Sequence, residues 1–196
     1  MASLRVDFVG GAVGHRYRFG GGRGQALPRA AGFDRGRTPR VVDATAGLGR
    51  DAFLLASLGA EIVLIERSPE IAQLLRDGLE RARAAEPAYA EIVERMRLIE
   101  GDARQLLGGL HPEVVLVDPM HPARGNSALV KQEMRLLRDV VGADADAAEL
   151  ITAALDAASS RVVVKWPARA PLPEGLPPPS HTILGKSTRY DVFMRG

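Results

Sequence analysis

Val41-Val42-Asp43-Ala44-Thr45-Ala46-Gly47-Leu48-Gly49-Arg50-Asp51-Ala52 decides the fold of this chain. A short apolar run enters a glycine-rich turn. The turn opens an amphipathic segment with apolar side chains at Phe53, Leu54, Leu55 and Leu58. That order reads as strand, tight turn, helix. Gly47 and Gly49 allow the turn to close tightly and let a ligand come near the main chain. The spacing Gly47-x-Gly49-x-x-Ala52, with Glu66 placed 19 residues after Gly47, also satisfies the dinucleotide-binding fingerprint.

Outward from that stretch, apolar strands are expected at 40–44, 61–66, 96–100, 114–118 and 161–166. Helices are expected at 50–58, 69–85, 103–108, 127–141 and 146–159, and Leu4–Val9 reads as a further short strand. Strands that alternate with helices imply an α/β fold, a parallel sheet with covering helices. Thr182–Leu184 and Tyr190–Met194, joined by Gly185-Lys186-Ser187-Thr188, read as an antiparallel hairpin on the sheet edge. Pro171–Pro179 holds five prolines and reads as a loop. The chain divides into a basic, glycine-rich segment over residues 1–39 and an α/β domain over residues 40–196.

A length of 196 residues suits one hydrophobic core, and 46% hydrophobic with 26% charged residues is ordinary for a globular protein. With no cysteine, disulfides and thiolate metal sites are excluded. The four histidines, at 15, 111, 121 and 181, are too scattered to suggest a metal site, and none is expected. No apolar run approaches the roughly 20 residues that span a bilayer. The start of the chain has no signal-peptide core, so a cytoplasmic protein is expected. Net charge is only +2, yet residues 1–40 hold eight arginines against Asp7 and Asp34. Such asymmetry suggests an acidic partner such as nucleic acid. His15-Arg16-Tyr17-Arg18-Phe19 interleaves basic and aromatic residues before Gly20-Gly21-Gly22-Arg23-Gly24, a pattern suited to stacking on bases and contacting phosphate.

Ligand chemistry belongs where the strands end. Asp43, Glu66, Asp102 and Asp118 stand at the ends of four successive expected strands. A pyrophosphate at the helix amino terminus would be repelled by Asp43 and Asp51. S-adenosylmethionine carries a sulfonium and an ammonium, and both are favoured there. Glu66 is suited to accept the ribose hydroxyls and Asp102 an adenine amine. Asp118-Pro119-Met120-His121-Pro122 follows the apolar run Val114–Val117. A carboxylate, a rigid proline and a flat side chain resemble the Asp/Asn-Pro-Pro-aromatic tetrapeptide of methyltransferases that modify exocyclic amines.

Taken together, these residues resemble the bacterial ribosomal RNA small subunit methyltransferase J family, which methylates N2 of a guanine in 16S RNA. The resemblance runs through Val6–Ala12, His15-Arg16, Phe19–Gly24, Val42–Phe53, Asp118-Pro119-Met120, Ser127–Met134 and Val162–Lys165. It implies a class I S-adenosylmethionine-dependent methyltransferase with a Rossmann-like, mostly parallel sheet. It implies a partner in 16S rRNA or the small ribosomal subunit, with no membrane and no metal. Donor contacts are expected at Asp43, Gly47, Gly49, Arg50, Asp51, Glu66, Arg67, Asp102, Ala103 and Asp118. Asp118, Pro119 and His121 are the expected catalytic set. RNA contacts are expected at His15, Arg16, Arg18, Arg23, Arg124, Lys131 and Lys165, with 1–39 as the substrate segment. Two departures stand out: family members carry a further segment before Val6, and they have phenylalanine where this chain has His121. On the residues alone, three other readings stay open: methylation of another planar amine (adenine N6 or a glutamine amide), a nicotinamide-dependent oxidoreductase, and a non-catalytic RNA-binding module.

Overall fold

The computed structural model describes residues 4–10, 13–15, 17, 22–34, 36–119, 146–185 and 187–196. Among them seven strands form one sheet: β1 (Val41–Asp43), β2 (Ile62–Glu66), β3 (Met96–Glu100), β4 (Val114–Val117), β5 (Arg161–Pro167), β6 (His181–Leu184) and β7 (Thr188–Met194). Their order is β3-β2-β1-β4-β5-β7-β6. The first five run parallel, while β7 pairs antiparallel with both β5 and β6. This is the mostly parallel sheet with a carboxyl-terminal antiparallel pair that the sequence led us to expect.

Helices cover both faces because the strand side chains alternate. Val41, Val114, Leu116 and Val163 point into one apolar layer. That layer is closed by α1 (Ala26–Ala30), α2 (Arg50–Ser57), α3 (Pro69–Arg83) and α4 (Pro87–Glu94). Val42, Val115, Val117, Val162 and Val164 point into the other, closed by α5 (Ala103–Leu110) and α6 (Ala147–Ala157). No helix among the described residues is long and apolar enough to cross a membrane.

Two expectations need correction. Leu4–Val9 forms no strand. Val6 and Phe8 are buried while Asp7 is exposed, so the alternation is real. It arises because the segment lies across α3, not because it joins the sheet. Arg81 donates to the Val6 carbonyl at 2.8 Å and the Tyr89 hydroxyl to the Val9 carbonyl at 3.3 Å. A Cβ on Gly78 of α3 would lie 2.5 Å from Val6 Cγ1, so glycine permits the close crossing. The second correction is α4, which was not expected. Its proline at the first turn suits a helix start, but its eight residues show no long period. The helix expected at 127–141 lies outside the described residues.

The 1–39 segment shares the core of the α/β domain. Val6, Phe8, Leu27, Ala30 and Phe33 are buried in the same cluster as Val41 and Phe53. Tyr17 packs edge-on against Phe53 and Tyr89, so it serves this aromatic cluster and is not displayed for a base.

Candidate active site

The strand order reverses between β1 and β4, and a cleft opens at the carboxyl ends there, where an open α/β sheet binds its ligands. Ala44, Thr45, Gly47, Glu66, Asp102 and Asp118 line it, along with Arg67 and Ala103.

The glycine turn is held from below. Gly47 and Gly49 both take positive φ, 51° and 69°. A Cβ at Gly49 would come within 2.9 Å of Leu75 and 3.1 Å of Phe8, whereas at Gly47 the nearest atom is 3.8 Å away. Gly49 is therefore required for packing, and Gly47 for its backbone angle at the cleft wall. Glu66, at the end of β2, accepts from the Gly47 N–H at 2.9 Å and from the Ser68 N–H at 2.8 Å. Burial pushes its carboxyl above the ordinary range, and these two N–H groups oppose that push. Each oxygen keeps a further lone pair for a ligand hydroxyl.

Asp102 caps α5 and accepts from the Arg104 main-chain N–H at 2.9 Å. The Arg104 guanidinium also grips it, at 2.6 Å from Nη2 and 3.0 Å from Nε. That grip holds the Asp102 carboxyl below its usual value. Arg104 continues to Asp146 and Glu149, each at 2.8 Å, and Arg67 meets Asp146 at 3.0 Å. The sequence reading missed Arg104 and Asp146. Asp146 lies 44 residues after Asp102 and comes to the cleft only through the packing of α6 on α5.

At the switch point three carboxylates surround one ammonium. Lys165 Nζ lies 2.7 Å from Asp51 Oδ2 and 2.7 Å from Asp118 Oδ2. Burial would lower the lysine pKa, but the facing Asp118 and Asp51 carboxylates overcome it and keep the ammonium protonated well above its ordinary range. Asp43, only 3% exposed, is raised to about 7. Burial is the main cause; the charges of Asp51 and Asp118 add to it, while the Thr45 N–H and Lys165 oppose it. The Asp118 N–H donates to Thr45 Oγ1 at 2.7 Å, which ties the end of β4 to the turn after β1.

The fold thus gathers Asp43, Gly47, Gly49, Asp51, Glu66, Arg67, Asp102, Ala103 and Asp118 around one strand edge, with Pro119 next in the chain. Arg50 is exposed at the first position of α2. Lys165 and Arg23 are not placed as expected. Lys165 turns inward to two carboxylates, so a phosphate would have to displace them. Arg23 donates to the Arg37 carbonyl, Thr38 Oγ1 and the Leu58 carbonyl, and its guanidinium stands 5.4 Å over the Phe33 ring. Its guanidinium braces the amino-terminal segment internally and reaches the domain through the Leu58 carbonyl. His15 is exposed. His121, Arg16, Arg18, Arg124 and Lys131 lie outside the described residues.

The chain is similar to several known proteins. Residues 1–195 match a family model described as "Putative SAM-dependent methyltransferase". The ribosomal RNA small subunit methyltransferase J of Agrobacterium fabrum is 66% identical over 192 residues, covering 98% of this chain and 92% of that protein. The protein of the same name from Pseudomonas aeruginosa is 56% identical, covering 97% and 73%. A crystal structure of a SAM-dependent methyltransferase from Neisseria gonorrhoeae superposes with a TM-score of 0.77 at 35% identity, covering 99% of this chain and 75% of that one. The fold alone is shared with an RNA methyltransferase from Salinibacter ruber solved with S-adenosyl-L-homocysteine, at 17% identity and a TM-score of 0.51, covering 86% of each chain.

Proposed function

The chain belongs to the S-adenosylmethionine-dependent methyltransferase family, and on that premise we propose that it methylates the exocyclic N2 amine of a guanine in 16S ribosomal RNA. The observation that carries the reading is the position of Asp118. It sits at the topological switch point, in the wall of the donor cleft, and begins an Asp-Pro-x-aromatic sequence. The relatives' names supply the nucleic acid.

The acidic edge fits the donor better than it fits a dinucleotide. Asp43, Asp51, Glu66 and Asp118 favour a cationic ligand, and Glu66 has acceptor capacity for ribose hydroxyls. Asp102 is suited to the adenine amine once Arg104 shares or releases it. When bound, S-adenosylmethionine would supply a methyl on an activated sulfonium: the S–C bond would break with its electron pair left on sulfur, the amine would form the N–C bond, and the proton it sheds would pass to water.

The protein's part is alignment. A guanine amine is a poor nucleophile because its lone pair is delocalised into the ring. The Asp118 carboxylate and the Pro119 carbonyl accept its two hydrogens, which favours a pyramidal nitrogen with its lone pair aimed along the transfer line. Holding reactants so is worth several kcal/mol. The His121 ring is assigned to stack on the base, a role that rests on the sequence pattern. A base inside a duplex has to be flipped out or already unpaired. The RNA surface is assigned to His15, Arg16 and Arg18 with Arg124 and Lys131.

The test is a map of methylated nucleotides in ribosomal RNA from cells lacking the protein, before and after the gene is restored. One N2-methylguanine of the small subunit should vanish and return. A missing methyl on an adenine, or on a glutamine side chain, would replace this substrate assignment.

A further inference from the structure

We propose that Lys165 is the positioning residue of this site, a cation that holds the Asp118 carboxylate in aim and joins it to Asp51 at the first turn of α2. The inference rests on the reading of Asp118 as acceptor for the amine hydrogens.

The fold commits Lys165 to this place. Along β5, Val162, Val164 and Trp166 face the α5/α6 layer, so Lys165 shares the opposite face with Val163, toward α2. Pairing with Tyr190 of β7 fixes its backbone in the middle of a seven-residue ladder. From there the ammonium reaches both carboxylates at 2.7 Å, with its side chain 23% exposed. An ammonium is a compact charge with three donors. Two are spent on groups from different elements, one in the first turn of α2 and one after β4.

The charged groups that face Lys165 are Asp43 from β1, Asp51 from α2 and Asp118 after β4. With all three ionised, one cation stands against three anions. Removing the cation leaves like charges in a part-buried corner: buried Asp43, already raised to about 7, takes up a proton first, and the Asp118 carboxylate loses the partner that fixes its direction. An Asp118 carboxylate that is no longer held in one direction stops presenting its oxygens along the line of the amine hydrogens. A carboxylate offers about four acceptor positions, so the bond to Lys165 leaves Asp118 capacity for the amine. Lys165 thus acts through Asp118 and not on RNA phosphate.

The experiment compares wild type, Lys165→Met and Lys165→Arg. The Asp118 carboxyl is titrated by carbon-13 NMR in the donor-free protein, and single-turnover methyl transfer is measured against pH at saturating donor. Lys165→Met should move the Asp118 titration up by about one pH unit or more. The transfer rate should fall about 30-fold or more across the neutral range because the unheld carboxylate loses its aim, the acid limb of the profile should move up with the Asp118 titration, and donor affinity should not weaken. Lys165→Arg should restore the titration and part of the rate. An unchanged Asp118 titration and pH profile in folded Lys165→Met would overturn the proposal. So would a reduced salt slope of RNA binding with normal single-turnover transfer, which would make Lys165 a phosphate contact. If Lys165→Met does not fold, Lys165→Gln carries the same titration. Full activity in Asp118→Ala would refute the parent reading, whereas an inactive Asp118→Ala beside a normal Lys165→Met refutes only the role of Lys165.

Discussion

The main-chain N–H of Asp118 donates a 2.7 Å hydrogen bond to Thr45 Oγ1, across 73 residues of sequence. The glycine turn after β1 and the acidic motif after β4 are therefore one mechanical unit. A shift of the turn moves the carboxylate with it. Thr45→Val keeps the shape but leaves that N–H without its hydroxyl partner, at a cost of about 1–3 kcal/mol. Single-turnover transfer should slow by about tenfold or more in the valine variant and be largely kept in Thr45→Ser. Equal rates in the two would mean that the bond does not set the alignment.

Glu66 carries two duties, since it holds the Gly47 and Ser68 N–H groups and faces the cleft. Glu66→Ala should weaken donor binding by about 1–3 kcal/mol, because donor hydroxyls lose their acceptors. Titration calorimetry reads this directly. Unchanged affinity would remove Glu66 from the donor site.

Asp43 makes stability depend on pH with a definite sign. Its pKa is raised from 3.8 to about 7 by burial. A carboxyl raised on folding binds its proton more tightly in the native state, so the contribution of Asp43 to stability is greatest below pH 4 and falls as pH rises from 4 through 7. The span is at most about 4 kcal/mol. Asp43→Asn should remove that part of the slope, and urea unfolding at pH 5 and pH 8 should show the variant losing less than wild type. An identical slope would mean that Asp43 titrates normally.

Gly78→Ala tests the docking of the amino-terminal segment. The new Cβ would meet Val6 Cγ1 at 2.5 Å and the Val6 carbonyl at 3.2 Å. Overpacking of this kind typically costs about 1–3 kcal/mol. The loss should appear in thermal unfolding and disappear when Leu4–Val9 is deleted from both proteins. A neutral Gly78→Ala would show that the segment does not sit on α3.

How far the sequence could be read depends on the range of the forces involved. The sheet was legible because apolar runs such as Val114–Val117 and Val162–Val164 are short and continuous, as strands buried on both faces must be. The acids at the strand ends were legible because the crossover fold repeats the same geometry after each strand. Val6-Asp7-Phe8 misled because an extended chain laid on a helix buries alternate residues as a strand does. Arg23 and Lys165 misled for another reason. A charge in the sequence does not say whether it faces water or a partner, and their partners stand up to 114 residues away. Asp146 was missed on the same ground, since its partners Arg67 and Arg104 lie far off in the sequence.

Asp118 is proposed to align an exocyclic guanine amine for methyl transfer. That role is tested most directly by single-turnover transfer of labelled methyl from saturating S-adenosylmethionine to small-subunit ribosomal RNA, comparing wild type with Asp118→Ala. Wild type should form N2-methylguanine, and Asp118→Ala should transfer the methyl about 100-fold or more slowly. Near-wild-type transfer by Asp118→Ala would contradict that role.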